Sequence, residues 1–148
     1  MTGVELDRSV GYVLKQASSA LRAAMDAVLR PLELTVPQYS CLELLGQRSG
    51  LSNAELARGT FVTRQSMNLV LRGLQERGLV TRPTIAARGR TLPTRLTADG
   101  TVALHAANRA VARVEQRMLS PLPLDRRQQL REDLAACAAA IDAAVVPG

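Results

Sequence analysis

Two short helical patterns of apolar residues lie next to each other near the middle of the chain. The first begins with Ser-Asn-Ala-Glu, in which Ser52 and Glu55 can each satisfy a free backbone amide, as in a capping box. The second begins at Thr63, a residue type favoured as an N-cap. Its apolar positions recur at i, i+3, i+4 and i+7 and predict one buried face, formed by Met67, Val70, Leu71 and Leu74. The pattern predicts two helices joined by a tight turn, under which Phe61 and Val62 are expected to tuck.

The opposite face of the second predicted helix is polar. It carries Arg64, Gln65, Asn68, Arg72 and Gln75, with no acidic residue before Glu76. Gly78 follows and is expected to end the helix in a left-handed conformation. Such a helix suits the major groove of DNA, where arginine can read guanine, and asparagine or glutamine can read adenine, with paired hydrogen bonds. The alternative is an ordinary solvated helix face.

A β-hairpin is predicted after this helix. Two runs of β-prone residues, 79–82 and 92–97, flank a loop that contains Arg88 and Arg90 and no acid. Arginine at a loop tip suits a narrow minor groove, which concentrates negative potential, although a plain exposed turn would also tolerate it. Helix, turn, helix and arginine-bearing hairpin, in this order, predict a winged helix-turn-helix.

The positive charge of the chain is concentrated on this same segment. The formal net charge is +6, and between residues 60 and 97 seven arginines accompany a single glutamate. The remainder of the chain is neutral. A basic recognition helix and wing are typical of a surface that binds phosphates, so the predicted partner is double-stranded DNA.

Three longer amphipathic helices are predicted outside this segment. The first covers residues 6–29 and carries an apolar stripe of Val10, Val13, Leu14, Ala17, Leu21, Ala24, Met25 and Val28. The second follows Gly100, ends near Leu119 and has Val102, Ala106, Ala110, Val114 and Met118 on one face. The third begins near Asp125 and repeats Leu130, Leu134, Cys137, Ile141 and Val145. These stripes need other apolar surfaces to cover them, and the first and last helices are expected to pack together.

The uncovered stripes predict a homodimer, because one small reading head cannot cover them all. A symmetric pair would read two half-sites about 34–36 Å apart on a pseudo-palindromic operator. The predicted fold is mainly α with a small β-hairpin wing. Residues 32–100 form the winged helix-turn-helix DNA-binding domain, and residues 1–31 and 101–148 form a helical dimerisation region built from both termini. The alternative is an intramolecular helical bundle without a dimer.

Several other function classes find no support in the sequence. The N-terminus carries Glu5 and Asp7 and lacks the apolar core of a signal peptide, and the apolar run up to Ile141 is too short to span a bilayer, so a cytoplasmic protein is expected. Cys41 and Cys137 have no metal-ligand spacing and are predicted to be buried and unreactive. There is one histidine, no phosphate-binding glycine loop and no nucleophile–base pair. We therefore expect no enzyme activity, catalytic residue, metal or cofactor.

Four segments together resemble a known family. They are LTVPQY at 34–39, SNAELA at 52–57, LQERGLVTR at 74–82 and RLTADG at 95–100. In this combination and order the chain resembles a MarR-family transcriptional regulator over nearly its whole length. The resemblance implies a homodimer formed by the first and the last two helices, a major-groove reading helix and a wing in the minor groove.

The resemblance also implies individual DNA contacts. Arg90 matches the wing arginine that contacts DNA in the family, whereas Arg88 replaces an acid that commonly helps to hold the wing. This wing is therefore expected to depend more on phosphate contact. The predicted DNA-binding residues are Ser52, Thr63, Arg64, Gln65, Ser66, Asn68, Arg72, Arg88 and Arg90.

A small effector is a further implication, since many relatives are repressors released by aromatic or phenolic anions. From their positions in the chain, Lys15 and Arg22 are the candidate cationic residues of such a site, and Met25 and Tyr39 are its candidate apolar lining. The alternative for these four is a solvated face and ordinary core residues. Two other functions remain open: a winged-helix module that binds an acidic protein partner, and a non-specific architectural DNA-binding protein.

Overall fold

The structure is a computed structural model that describes residues 5, 8–82 and 93–145, with side chains described as far as residue 142. Its helices are α1 (Val10–Leu29), α2 (Val36–Gln47), α3 (Asn53–Thr60), α4 (Arg64–Glu76), α5 (Ala98–Leu119) and α6 (Leu124–Val145), and its strands are β1 (Val80–Thr81) and β2 (Arg95–Leu96). The chain divides into two compact units, residues 1–114 and 115–148. The predicted class, mainly α with a small β-hairpin, is confirmed.

The predicted helix starts at the centre of the chain are confirmed in detail. Ser52 Oγ accepts a hydrogen bond from the Glu55 amide at 3.2 Å, and Glu55 Oε1 accepts one from the Ser52 amide at 3.1 Å. This amide bond is the main reason that the pKa of the Glu55 carboxyl lies below its usual value. Thr63 Oγ1 accepts from the Ser66 amide at 3.0 Å and caps α4. Both helices therefore begin where their side chains satisfy free amides.

The predicted buried face of α4 is confirmed as well. Met67, Leu71 and Leu74 are 0% exposed, and Val70 packs against them from the edge of the core. The same core contains Leu42 of α2 and Leu56 of α3, which are also 0% exposed. Gly78 has φ +72° after the last turn of α4, the left-handed conformation expected there.

The hairpin pairs β1 and β2 in antiparallel register, with Val80 opposite Leu96 and Thr81 opposite Arg95. An isolated bridge between Leu51 and Thr94 extends the pairing toward α3. The predicted strands of the wing are therefore present. Its predicted tip, with Arg88 and Arg90, lies outside the described residues.

The start of α5 is tied closely to β1. The helix begins at Ala98, before Gly100, which was predicted to precede it. Thr97 Oγ1 donates to the Gly78 carbonyl at 2.6 Å and accepts from the Gly100 amide at 3.0 Å. A Cβ atom on Gly100 would lie 2.0 Å from the Leu79 carbonyl oxygen. Only glycine permits this approach of the helix to Leu79, the residue that precedes β1.

The apolar stripe of α1 is largely uncovered within the described chain. The helix starts at Val10, later than predicted, because Ser9 Oγ accepts from the Tyr12 amide and caps it there. Residues 6 and 7, at the predicted start, lie outside the described residues. Leu29 is buried and Met25 packs against the core, whereas Val10 is 79% exposed.

The predicted face of α5 is partly wrong. Of its members, Val114 is buried, whereas Val102 is 69% and Met118 is 42% exposed. Leu104 and Ala107, which were not on the predicted face, are buried. The buried face of α5 begins at Gly100, on the side of the helix that approaches the Leu79 carbonyl oxygen.

The prediction that both cysteines are buried is right for one and wrong for the other. Cys41 is 0% exposed, and its burial raises the pKa of the thiol to about 12, which makes it a poor nucleophile. Cys137 is exposed on α6. Leu134 and Ile141 on the same helix are 43% and 66% exposed, so this stripe is only partly covered.

The expectation that Phe61 tucks under the turn is also wrong. Its side chain is 94% exposed, and its φ is +61°. The Val62 amide donates to the Ala57 carbonyl at 3.0 Å, so the backbone ends α3 in a left-handed turn that usually requires glycine. That backbone conformation directs the ring into solvent.

Replacing Phe61 by glycine is expected to raise the free energy of unfolding by about 0.5–1 kcal/mol. Relief of the left-handed strain, about 1–2 kcal/mol, exceeds the chain entropy that glycine adds to the unfolded state. Urea denaturation of Phe61→Gly and Phe61→Ala measures this, since alanine removes the ring but keeps the strain. Equal stabilities for the two variants would show that the backbone at this position is not strained.

Candidate nucleic-acid interface

Helices α3 and α4 form a helix-turn-helix with three residues, Phe61 to Thr63, between them. The buried stripe of α4 sets the rotation of this helix about its own axis. Its opposite face is consequently presented to solvent. Within the described residues, no helix has the length and apolarity needed to cross a membrane.

Most of the predicted DNA-contacting residues of α4 lie together on this exposed surface. The exposed residues are Arg64, Gln65, Ser66, Asn68 and Arg72. They extend over about two and a half turns from the N-terminus of the helix, the part of a recognition helix that reaches base edges. Thr63 lies at the same end, and its hydroxyl donates to Ser66 Oγ at 3.0 Å.

The remaining predicted contacts are placed differently. Ser52 is 8% exposed, and its hydroxyl accepts the capping hydrogen bond of α3. The structure therefore places it under the start of α3 and not on the exposed face. Arg88 and Arg90 lie outside the described residues.

The electrostatics of the exposed face favour an anion. Neither Arg64 nor Arg72 forms an ion pair with any described residue. The ion pairs found among the described residues lie elsewhere and join Arg8 to Glu5 and Arg22 to Asp26. On α4 itself the first acid is Glu76, at the last helical position. The guanidinium groups are thus available to phosphate oxygens or to the acceptors of guanine.

Asn53 is a residue of this surface that the sequence did not reveal. Its side-chain amide donates to Asn68 Oδ1 and joins the start of α3 to the exposed face of α4. A carbonyl oxygen can accept two hydrogen bonds, so Asn68 can hold this bond and still pair with adenine. The contact depends on the crossing of the two helices, for which the sequence carries no signal.

Leu69 is a second unforeseen member of the exposed face. It is 63% exposed and lies between Gln65 and Arg72 along the helix. Its position in the sequence pattern, outside the i, i+3, i+4 stripe, could have identified it.

Of the four residues nominated for an effector site, two are exposed and two pack in or against the core. Lys15 and Arg22 are exposed on α1, and Arg22 forms an ion pair within its own helix. Met25 packs against the core, and Tyr39 is 9% exposed, with its hydroxyl donating to Asn108 Oδ1 at 2.7 Å.

A cavity of about 270 Å³ lies close to these residues in the sequence, but none of the four lines it. Its lining residues are Asp26, Arg30, Glu33, Leu34 and Thr35. Within the described ranges, no group of three His, Cys, Asp or Glu side chains could hold a metal ion.

Helices α2 and α3, the exposed basic face of α4 and the two-stranded hairpin define a winged helix-turn-helix protein. A family model described as MarR family matches residues 32–90. The HTH-type transcriptional repressor Rv2887 of Mycobacterium tuberculosis is 40% identical over 132 residues, which cover 89% of this chain and 95% of that protein. The chain belongs to the MarR family and is a winged helix-turn-helix transcriptional regulator.

Solved structures agree with this assignment. The crystal structure of Rv2887 in complex with DNA has a TM-score of 0.75 and 37% identity, covering 88% of this chain and 98% of that one. The structure of Rv2887 in complex with salicylic acid has a TM-score of 0.72 and 40% identity, covering 88% and 97%.

Proposed function

We propose that this chain is a homodimeric, sequence-specific DNA-binding repressor that acts in the cytoplasm and is released from its operator by a small aromatic anion. The exposed face of α4 carries this proposal. Its arginine, glutamine and asparagine side chains face solvent without an acidic partner, and the fully buried stripe behind them holds the helix in place. The proposal includes no catalytic step.

Base reading is assigned to the exposed face of α4 from Arg64 to Arg72. Arg64 and Arg72 suit guanine, and Gln65 and Asn68 suit adenine. Thr63 and Ser66, at the N-terminus of the helix, suit phosphate oxygens. Arg88 and Arg90, outside the described residues, are proposed to contact the minor groove.

Replacing Asn68 by alanine is expected to relax the preference at one base pair of each half-site. The expected loss is about 1–3 kcal/mol, the value of a bidentate contact, on the preferred duplex and little on duplexes changed at that base. Fluorescence anisotropy with a set of single-base variants measures it. Gln47→Ala, which removes an exposed amide at the end of α2 outside the predicted dimerisation region, is the matched control and should bind like the parent. A uniform loss across all duplexes would place Asn68 on the phosphate backbone.

A homodimer is proposed because apolar residues remain uncovered on helices at both ends of the chain. On α1, Val13 is 45% and Leu14 is 48% exposed. On α6, the exposed fractions are 37% for Leu130 and 43% for Leu134. A second copy of the chain would remove these surfaces from water, and a two-fold pair would match a pseudo-palindromic operator.

An aromatic acid is proposed as the effector, supported by the complex of the relative Rv2887 with salicylic acid. Lys15 and Arg22 would supply the positive charge, and Met25 and Tyr39 the apolar lining. The ligand can release DNA only if it binds the DNA-incompetent shape of the dimer more tightly.

Selection of duplexes from a random pool, followed by titration of the selected duplex at several salt concentrations, tests the proposed function. A pseudo-palindrome with half-sites about one turn apart is expected, and salicylate should weaken the complex. Binding without enrichment would point to an architectural protein, which shows a steep salt response but no discrimination. A folded protein that binds no duplex at low salt would favour a protein-interaction module.

A further inference from the structure

Leu69 is an exposed leucine on a helix whose other leucines are buried. It is 63% exposed, whereas Leu71 and Leu74 are 0% exposed. Within the described part of residues 32–100 it is the one exposed leucine. Single apolar residues are common on protein surfaces, so the meaning of this one depends on where it lies.

Leu69 points almost directly away from the core. At about 100° per residue, its direction lies within about 20° of the one opposite the stripe of Met67, Leu71 and Leu74. Gln65 lies one turn before it, and Arg72 follows it by three residues. An α4 that enters a groove by its exposed face therefore brings Leu69 to the base edges between two polar side chains.

We infer that Leu69 is a specificity-determining residue that contacts the 5-methyl group of a thymine in the major groove. The inference rests on the proposed DNA-binding function. The thymine methyl is the one apolar group among the base-edge features that distinguish base pairs in this groove. Leucine can return no hydrogen bond, so its contact with any other base edge would remove water from polar atoms without replacing it. A duplex with thymine at this position is therefore favoured.

Deoxyuridine tests the inference because it lacks the 5-methyl group but keeps every hydrogen-bonding group of thymine. In the duplex obtained by random selection, each thymine is replaced in turn and the Kd is measured. One thymine in each half-site should be sensitive, with binding weakened about fourfold, the equivalent of one buried methylene group. For Leu69→Ala, the thymine and deoxyuridine duplexes should bind equally.

Gln47→Ala is the control, since Gln47 is exposed at the end of α2, outside both the exposed face of α4 and the predicted dimerisation region. It should keep the fourfold sensitivity of the parent. Thermal melting followed by circular dichroism checks that both variants are folded, as expected for exposed positions.

Two results would overturn the inference: equal sensitivity of the parent and Leu69→Ala at every thymine, or a selected operator without thymine in the bases that α4 reads. Both can occur while sequence-specific binding is intact, and they then contradict only the role of Leu69. A parent protein that selects no duplex would contradict the proposed function together with this role.

Discussion

Gly100→Ala is expected to lower the free energy of unfolding by about 3 kcal/mol or more. The new Cβ atom would lie 2.0 Å from the Leu79 carbonyl oxygen, and this oxygen also accepts the Thr97 amide at 3.1 Å. Backbone cannot move aside as a flexible side chain can, so the start of α5 must separate from β1. Urea denaturation followed by circular dichroism measures the change.

Gly11→Ala is the control for this experiment. Gly11 lies in the first turn of α1, and a Cβ atom there would have Ser9 Oγ as its nearest neighbour at 3.8 Å, an ordinary contact. Alanine should stabilise the helix by up to about 0.5–1 kcal/mol. Similar stabilities of the two variants would show that α5 and β1 do not approach each other as described.

Leu71→Ala is expected to lower the free energy of unfolding by about 2–5 kcal/mol. The side chain is 0% exposed on the core side of α4, so its removal loses burial and leaves a cavity. DNA binding should fall with the folded fraction, and it should recover when the temperature is lowered to refold the variant.

Leu69→Ala is the matched comparison, because the same residue type is removed two positions away on the same helix. With 63% of Leu69 exposed, the change in stability should stay within about 0.5 kcal/mol. The pair separates the two faces of α4: one variant loses stability, and the other keeps it. A large destabilisation by Leu69→Ala would mean that α4 is rotated about its axis relative to the structure.

The central part of the fold was predictable because its signals are local. Ser52 with Glu55, and Thr63, cap helices through residues three positions away, and the stripe of Met67, Leu71 and Leu74 is a simple helical period. The strands of the hairpin followed from β-prone runs. The exposed polar face of α4 followed from the same period, since it is the complement of the buried stripe.

What the sequence could not predict depends on contacts between elements. The buried face of α5 includes the close approach of Gly100 to Leu79. The hydrogen bond between Asn53 and Asn68 depends on how α3 crosses α4. Phe61 was misjudged because a large aromatic residue suggests burial, whereas the left-handed backbone that ends α3 directs it outward. Contacts between residues distant in the chain leave no periodic signal.

The DNA-contacting assignments and the effector residues stay predictions. For the wing, Arg88 and Arg90 lie outside the described residues. For the effector, Tyr39 donates a hydrogen bond to Asn108, so a ligand that contacts the phenol would have to compete with or extend this bond. The resemblance supplied the effector, whereas the DNA-reading role of the α4 side chains also followed from the exposed polar face of this helix.

Thr97 and Gly100 hold the start of α5 close to the base of the hairpin. The threonine hydroxyl bridges Gly78, just after α4, and the first turn of α5, while the glycine brings that turn against the backbone of Leu79, just before β1. A tilt at the start of α5 is therefore expected to displace the base of the hairpin and the segment that follows α4 as well.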